Sequence, residues 1–81
     1  KSENATDFEV QISDKGADLF YKENYPSMEL VKCNGQYKIK GFYNVGEERF
    51  IADYFLSYGK LINSIYPEQL KTLVLERTKE L

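Results

Sequence analysis

The 81-residue sequence contains no histidine, no tryptophan and a single cysteine, Cys33. Without an imidazole, neither Ser-His-Asp nor Cys-His catalysis can be assembled, because the usual general base is missing. One cysteine and no histidine also exclude nearly all zinc and iron–sulfur centres, which need clusters of soft ligands. A lone cysteine forms no intramolecular disulfide, which fits a reducing compartment. We therefore expect a cytoplasmic protein that is not an enzyme and needs no cofactor or metal.

Long apolar runs are also missing, since uninterrupted stretches such as Tyr54-Phe55-Leu56 span only a few residues. The sequence therefore predicts no transmembrane helix and no membrane partner. Eleven basic residues stand against thirteen acidic ones, for a formal charge of −2, and the basic residues are scattered from Lys15 to Lys79. A DNA-reading domain carries a basic face, so we expect this chain by itself to bind duplex DNA weakly.

The composition, with 42% hydrophobic and 30% charged residues, is typical of one small folded domain. The chain begins Lys1-Ser2-Glu3-Asn4, with neither a methionine nor a hydrophobic leader. We interpret it as a C-terminal fragment of a longer protein. Residues 1–7 are predicted to be a disordered or cloning-derived leader, and residues 8–81 a single domain.

The first element is predicted by alternating side chains. Apolar and polar residues alternate over Phe8–Ser13, and this period of two indicates a strand with one buried face. A helix follows, capped by Ser13 or Asp14. It ends before Pro26, because a proline disfavours the helical conformation of the residue that precedes it.

The clearest local signal is Asn34-Gly35, which lies between two segments typical of strands. Asn-Gly adopts the positive φ angles of a two-residue type I′ turn, so we predict a β-hairpin. This turn sets Leu30 opposite Ile39 on the core face. The outward face of the third strand then carries Lys38, Lys40 and Phe42.

A second helix is predicted to begin at Gly46-Glu47-Glu48, because acidic residues favour the positive end of a helix, and to end at Gly59. Its buried stripe comprises Phe50, Ile51, Tyr54, Phe55 and Tyr58. Leu61–Tyr66 is predicted to be a fourth strand, and Pro67 to open a third helix. The buried stripe of that helix comprises Leu70, Leu73, Val74 and Leu81.

This element order predicts an α+β fold: a ferredoxin-like βαββαβ antiparallel sheet with helices on one face, plus an added C-terminal helix. On such a sheet, Lys38, Lys40 and Phe42 either form a solvated surface or contact an anionic effector or a neighbouring domain. The run Lys40-Gly41-Phe42-Tyr43-Asn44-Val45 is similar to an RNA-recognition signature, although Tyr43 and Asn44 depart from it. A free-standing small-molecule or RNA-binding module is therefore the alternative hypothesis.

The second half of the chain carries a more specific pattern. Leu56-Ser57-Tyr58-Gly59 closes the second helix, and Ile65-Tyr66-Pro67-Glu68-Gln69-Leu70 opens the third. This combination resembles the C-terminal extension, often called WCX, of WYL-domain transcriptional regulators. The resemblance extends more loosely back to Phe8, through the first strand and the Asn34-Gly35 hairpin.

The resemblance implies a role as a regulatory and oligomerisation module of a bacterial, DeoR-like regulator. Such proteins carry a winged helix-turn-helix, a WYL domain and this extension. The implied partners are the winged-helix and WYL domains of the same chain, a second copy in a homodimer, and a nucleotide or nucleic acid as effector. DNA would be bound only by the N-terminal domain, which is missing here.

Overall fold

The computed structural model describes residues 3–79. Over these residues the elements follow in the order β1 (Thr6–Ile12), α1 (Asp14–Lys22), β2 (Met28–Cys33), β3 (Gln36–Tyr43), α2 (Glu48–Leu56), β4 (Ile62–Tyr66) and α3 (Glu68–Lys79). A short 3₁₀ turn, Gly59–Leu61, connects α2 to β4. The predicted α+β class is confirmed.

The four strands form one sheet in the order β2-β3-β1-β4, and each neighbouring pair is antiparallel. The central strands are therefore β1 and β3, and the edges are β2 and β4. The antiparallel sheet predicted from the sequence is confirmed. A register shift between Gln11 and Ile12 interrupts the pairing of β1 with β4.

The hairpin between β2 and β3 has the predicted register, with Leu30 opposite Ile39 and Val31 opposite Lys38. Its turn residues have the predicted positive φ angles, 53° for Asn34 and 78° for Gly35. Turn chemistry therefore fixes which β3 side chains share a face.

The core lies between one face of the sheet and the helices. Alternate residues of the central strands are almost completely buried, including Val10 at 0% and Ile39 at 0% exposure. All three α-helices contribute buried side chains to the same cluster, namely Ala17, Phe20, Ile51, Ala52, Tyr54, Phe55, Leu70 and Val74. One face of the sheet is thereby covered.

Phe8 packs closely on Gly41, which lies opposite it on the neighbouring strand β3. A Cβ atom at Gly41 would lie 2.8 Å from Cζ of Phe8 and 2.6 Å from the carbonyl oxygen of Ser27. Only glycine leaves room there, and the Phe8 ring reaches Phe55 of α2 at a centroid distance of 5.6 Å. This contact connects the sheet to α2.

Helix α1 begins where the sequence indicates. The side-chain oxygen of Ser13 accepts a hydrogen bond from the backbone N–H of Gly16 at 3.3 Å, so Ser13 is the N-cap. The cap satisfies one of the backbone donors that the first turn leaves without a partner. Lys22, the last residue of α1, complements the negative end of the helix.

One predicted boundary and one predicted core residue are corrected. Residues 1–7 do not all form a leader, because Thr6 and Asp7 pair with Tyr43 and Phe42 and extend β1 by two residues. Phe50 does not belong to the buried stripe of α2, since 55% of its surface is exposed. It lies at the edge of that stripe, against Tyr25.

In the third helix, Leu70 and Val74 are buried and Leu73 is packed against the core, as predicted. The predicted core position Leu81 lies outside the described residues, as do Lys1 and Ser2 of the predicted leader.

The Phe8–Gly41 contact can be tested with two alanine substitutions that act by different mechanisms. We expect Gly41→Ala to lower the free energy of unfolding by about 2 kcal/mol, because it overpacks the core. Gly35→Ala has open space around it but a positive φ angle, so we expect a loss of about 1 kcal/mol. Urea denaturation of both variants measures the difference, and an equal or smaller loss for Gly41→Ala would contradict this packing.

Candidate functional site

The sheet face opposite the helices is called the outer face below. In an antiparallel pair, residues directly opposite each other point to the same side. Lys40 lies opposite Glu9 and Glu29, and Tyr66 lies opposite Glu9, so all four share this face. The same register defines the whole set as Asp7, Glu9, Gln11, Glu29, Val31, Cys33, Gln36, Lys38, Lys40, Phe42, Ser64 and Tyr66. These side chains are half-buried or exposed, unlike those on the core face.

The three residues predicted as a contact surface lie together on β3, a central strand of the sheet. Lys38 and Phe42 are half-buried, and Lys40 is exposed. Their predicted common orientation is confirmed by the strand register, while their role in binding stays a prediction.

The two lysines differ in their electrostatic surroundings. Lys40 lies between carboxylates, and its Nζ is 3.5 Å from Oε1 of Glu9. Both side chains are about half exposed, so this ion pair contributes less than about 1 kcal/mol to stability. The register neighbours of Lys38 are Gln11 and Val31, which carry no charge. Lys38 is therefore the better placed of the two to attract an anion.

Two shallow depressions flank Lys40. One, of about 320 Å³, lies toward β4 and includes Glu9 and Tyr66 in its wall. The other, of about 330 Å³, lies toward β2 and includes Ser27 and Phe42. Each is at the lower end of the volumes typical of small-molecule sites. Lys40 lies between the two depressions, and both Lys40 and Gly41 line each of them.

The run that is similar to an RNA-recognition signature does not place its aromatic residues together. Tyr43 is 5% exposed and lies on the core face, where its ring centroid is 6.2 Å from that of Phe8. Val45 follows the end of β3 and is exposed. Of the residues in this run, Phe42 is the aromatic that the outer face presents, so base stacking by the full signature is not available here.

Sequence reasoning missed Tyr66, which is 62% exposed and is the second aromatic residue of the outer face. It also missed the pairing of Glu9 with Lys40. Both depend on how β4 and β3 are aligned on β1. The alternation of Phe8–Ser13 would have placed Glu9 on the outward side, but nothing local indicates the position of Tyr66 relative to it.

A second surface, called the aromatic groove below, lies where the end of α1 meets α2. It has a volume of about 340 Å³ and is lined by Glu23, Tyr25, Phe50, Asp53, Tyr54 and Ser57. The hydroxyl of Tyr54 donates to the backbone carbonyl of Glu23 at 2.6 Å. The Tyr58 hydroxyl lies 2.6 Å from that of Tyr54 and, since the Tyr54 proton is already engaged, donates to it.

Burial raises the pKa of Tyr54 above its ordinary value, and the nearby negative charge of Glu23 raises it further. Burial likewise raises the pKa of Tyr58 and of Tyr43. These three phenols therefore stay neutral and act as hydrogen-bonding groups at neutral pH.

Residues 3–79 contain no group of three His, Cys, Asp or Glu side chains arranged to hold a metal ion. Over the same residues, no helix combines the length and apolar character needed to cross a membrane. Comparisons with protein-family models, with curated proteins and with solved structures gave no significant match. Any proposal for function therefore rests on the residues of this chain and their arrangement.

The raised tyrosine pKa values predict the behaviour of the fold at alkaline pH. The unfolded chain releases these phenolic protons near pH 10.0, whereas the folded chain retains them, so the unfolded state binds fewer protons above that pH. The contribution of these phenols to the free energy of unfolding is therefore constant below about pH 10 and falls as pH rises further. Urea denaturation at a series of alkaline pH values measures this decline.

Two variants test whether the buried tyrosines cause this loss of stability at alkaline pH. Tyr58→Phe should lower stability at neutral pH by about 1 kcal/mol, through loss of a hydrogen bond, and make the alkaline decline shallower. Tyr21→Phe changes a tyrosine that is 72% exposed and should leave the decline unchanged. An identical alkaline decline in Tyr58→Phe and in the unmodified protein would contradict the assignment.

Proposed function

We propose that this chain is a non-catalytic regulatory and oligomerisation module of a bacterial transcriptional regulator, and that it acts through its outer face. One observation carries the proposal: the central strand β3 presents Lys38, Lys40 and Phe42 on a sheet face that the three described helices leave open. A sheet covered on one side and bearing apolar and charged groups on the other is suited to contact with a second protein surface.

We also propose that the fold is ferredoxin-like. The elements follow in the order βαββαβ, and the sheet order β2-β3-β1-β4 puts β1 and β3 in the centre. Read from the other edge, as β4-β1-β3-β2, this order supports the proposal of a ferredoxin-like sheet to which α3 is added. The residues behind the resemblance to WCX extensions occupy the end of α2 and the start of α3, where Tyr58 and Leu70 are buried.

The mechanism we propose is a coupling between sites. An anionic effector or the neighbouring WYL domain contacts Lys38 and Phe42, and this contact changes how two subunits pack. DNA is bound by the winged-helix domain of the longer, cytoplasmic protein. The outer face is electrostatically mixed, with Asp7, Glu9 and Glu29 beside its lysines, which favours a protein surface of complementary pattern over a polyanion.

The proposal is tested first by the gene sequence upstream of Lys1. We expect it to encode a winged helix and a WYL-like domain, and its failure to do so would refute the regulator assignment.

The second test is sedimentation of the full-length protein over a range of concentrations. Reversing two charges with Lys38→Glu and Lys40→Glu should weaken self-association at least about tenfold, because like charges at an interface oppose binding. The matched control reverses Lys15 and Lys60, which are exposed and lie on α1 and the 3₁₀ turn. Equal effects of the two double variants would exclude the outer face as the interface.

The alternative function is a free-standing module that binds RNA or a small molecule. It is favoured by the presence of two aromatic residues, Phe42 and Tyr66, on the same face as Lys38. Titration with short RNAs, nucleotides and amino acids, followed by amide chemical shifts, tests it. Saturable shifts confined to the outer face, weakened by added salt for a nucleic acid, would support it, and no shifts would remove it.

A further inference from the structure

The aromatic groove differs in chemistry from the outer face. Tyr25 lies between two other rings, with centroid distances of 5.0 Å to Phe50 and 5.3 Å to Tyr54. The Tyr25 ring is inclined at 43° to Phe50 and at 58° to Tyr54, and all three residues line the groove. Phe50 is 55% exposed, an unusual position for a phenylalanine next to a well-packed core. The groove therefore presents aromatic surface to solvent.

The charged groups that line the groove are the carboxylates of Glu23 and Asp53. Lys22, the last residue of α1, precedes Glu23 in the chain and offsets the negative end of the α1 dipole. The attraction for a cation therefore comes from the carboxylates. Phenol rings add to this attraction, because the face of an aromatic ring carries a partial negative charge.

One carboxylate of the groove is already paired with a cationic side chain of the protein. Arg77 of α3 forms an ion pair with Asp53 through its guanidinium Nε. The carboxylate of Glu23 lies on the α1 side of the same groove. A guest cation would therefore interact with the rings and Glu23, in a place next to an existing guanidinium–carboxylate pair.

We propose that the aromatic groove binds a small organic cation with a quaternary ammonium head group. Such a cation is weakly hydrated and spreads its charge over methyl groups, so it gains from contact with several ring faces and loses little water. A neutral apolar guest lacks the electrostatic attraction, and an anion is repelled by the carboxylate of Glu23, because Asp53 is already paired with Arg77. The volume of about 340 Å³ fits a free small molecule at the lower end of ligand-site sizes.

This inference is independent of the proposed regulatory function, because it concerns the helix side of the molecule. Choline is a suitable probe, and its neutral isostere 3,3-dimethylbutan-1-ol is the matched control, with sodium chloride holding the ionic strength constant. We expect choline to shift the Tyr25 and Phe50 ring resonances saturably, with a Kd on the order of millimolar. The neutral isostere should bind at least about threefold more weakly.

Two pairs of variants test which residues carry the binding. Phe50→Leu keeps an apolar side chain but removes the ring, and Glu23→Gln removes one charge, so each should weaken choline binding about two- to fivefold. The controls are Tyr21→Leu, an exposed aromatic position on α1, and Glu68→Gln, an exposed carboxylate on α3. Neither control should change the affinity, and amide spectra verify that all four variants are folded.

Three results would overturn the proposal. Equal affinity for choline and its neutral isostere would show apolar binding without recognition of charge. If the control variants lost as much affinity for choline as the groove variants, the loss would not be specific to the groove. A trimethyllysine peptide that binds more than about tenfold tighter than choline would identify a protein segment as the occupant, instead of a free small molecule.

Discussion

The structure depends on the close approach between Phe8 and the backbone of Gly41. Because β1 and β3 are the two central strands, this contact lies in the middle of the sheet, where the Phe8 ring also meets Tyr43 and Phe55. A side chain at position 41 would clash with the Phe8 ring and with the Ser27 carbonyl oxygen, so the packing here would have to shift. The packing of α2 then supports α3, which contacts α2 and β4.

One-sided packing accounts for both candidate surfaces. In a domain of 81 residues, three helices suffice to cover one face of a four-stranded sheet, and the other face remains in contact with solvent. The outer face is therefore a consequence of the fold, and its lysines and carboxylates are residues that a solvated strand accepts. On the helix side, Phe50 is largely exposed and lines the groove between the end of α1 and α2.

Much of the local structure was predictable because its causes are local. The Asn34-Gly35 turn determines the hairpin register, and that register determines that Lys38, Lys40 and Phe42 share a face. The Ser13 cap determines the start of α1. Residues that depend on distant neighbours were missed. Tyr66 joins the outer face only through pairing of β4 with β1, and Phe50 has helical spacing but too little core beside it.

The sequence by itself determined the α+β class and the hairpin, because periodicity and turn residues act over a few positions. Tertiary structure decided the strand order, the alternation of carboxylates and lysines across β2, β3 and β1, and the meeting of Glu23, Tyr25 and Phe50 in one groove. These features join residues that are far apart in the chain. Their positions follow from how the helices and strands pack together, which no local pattern specifies.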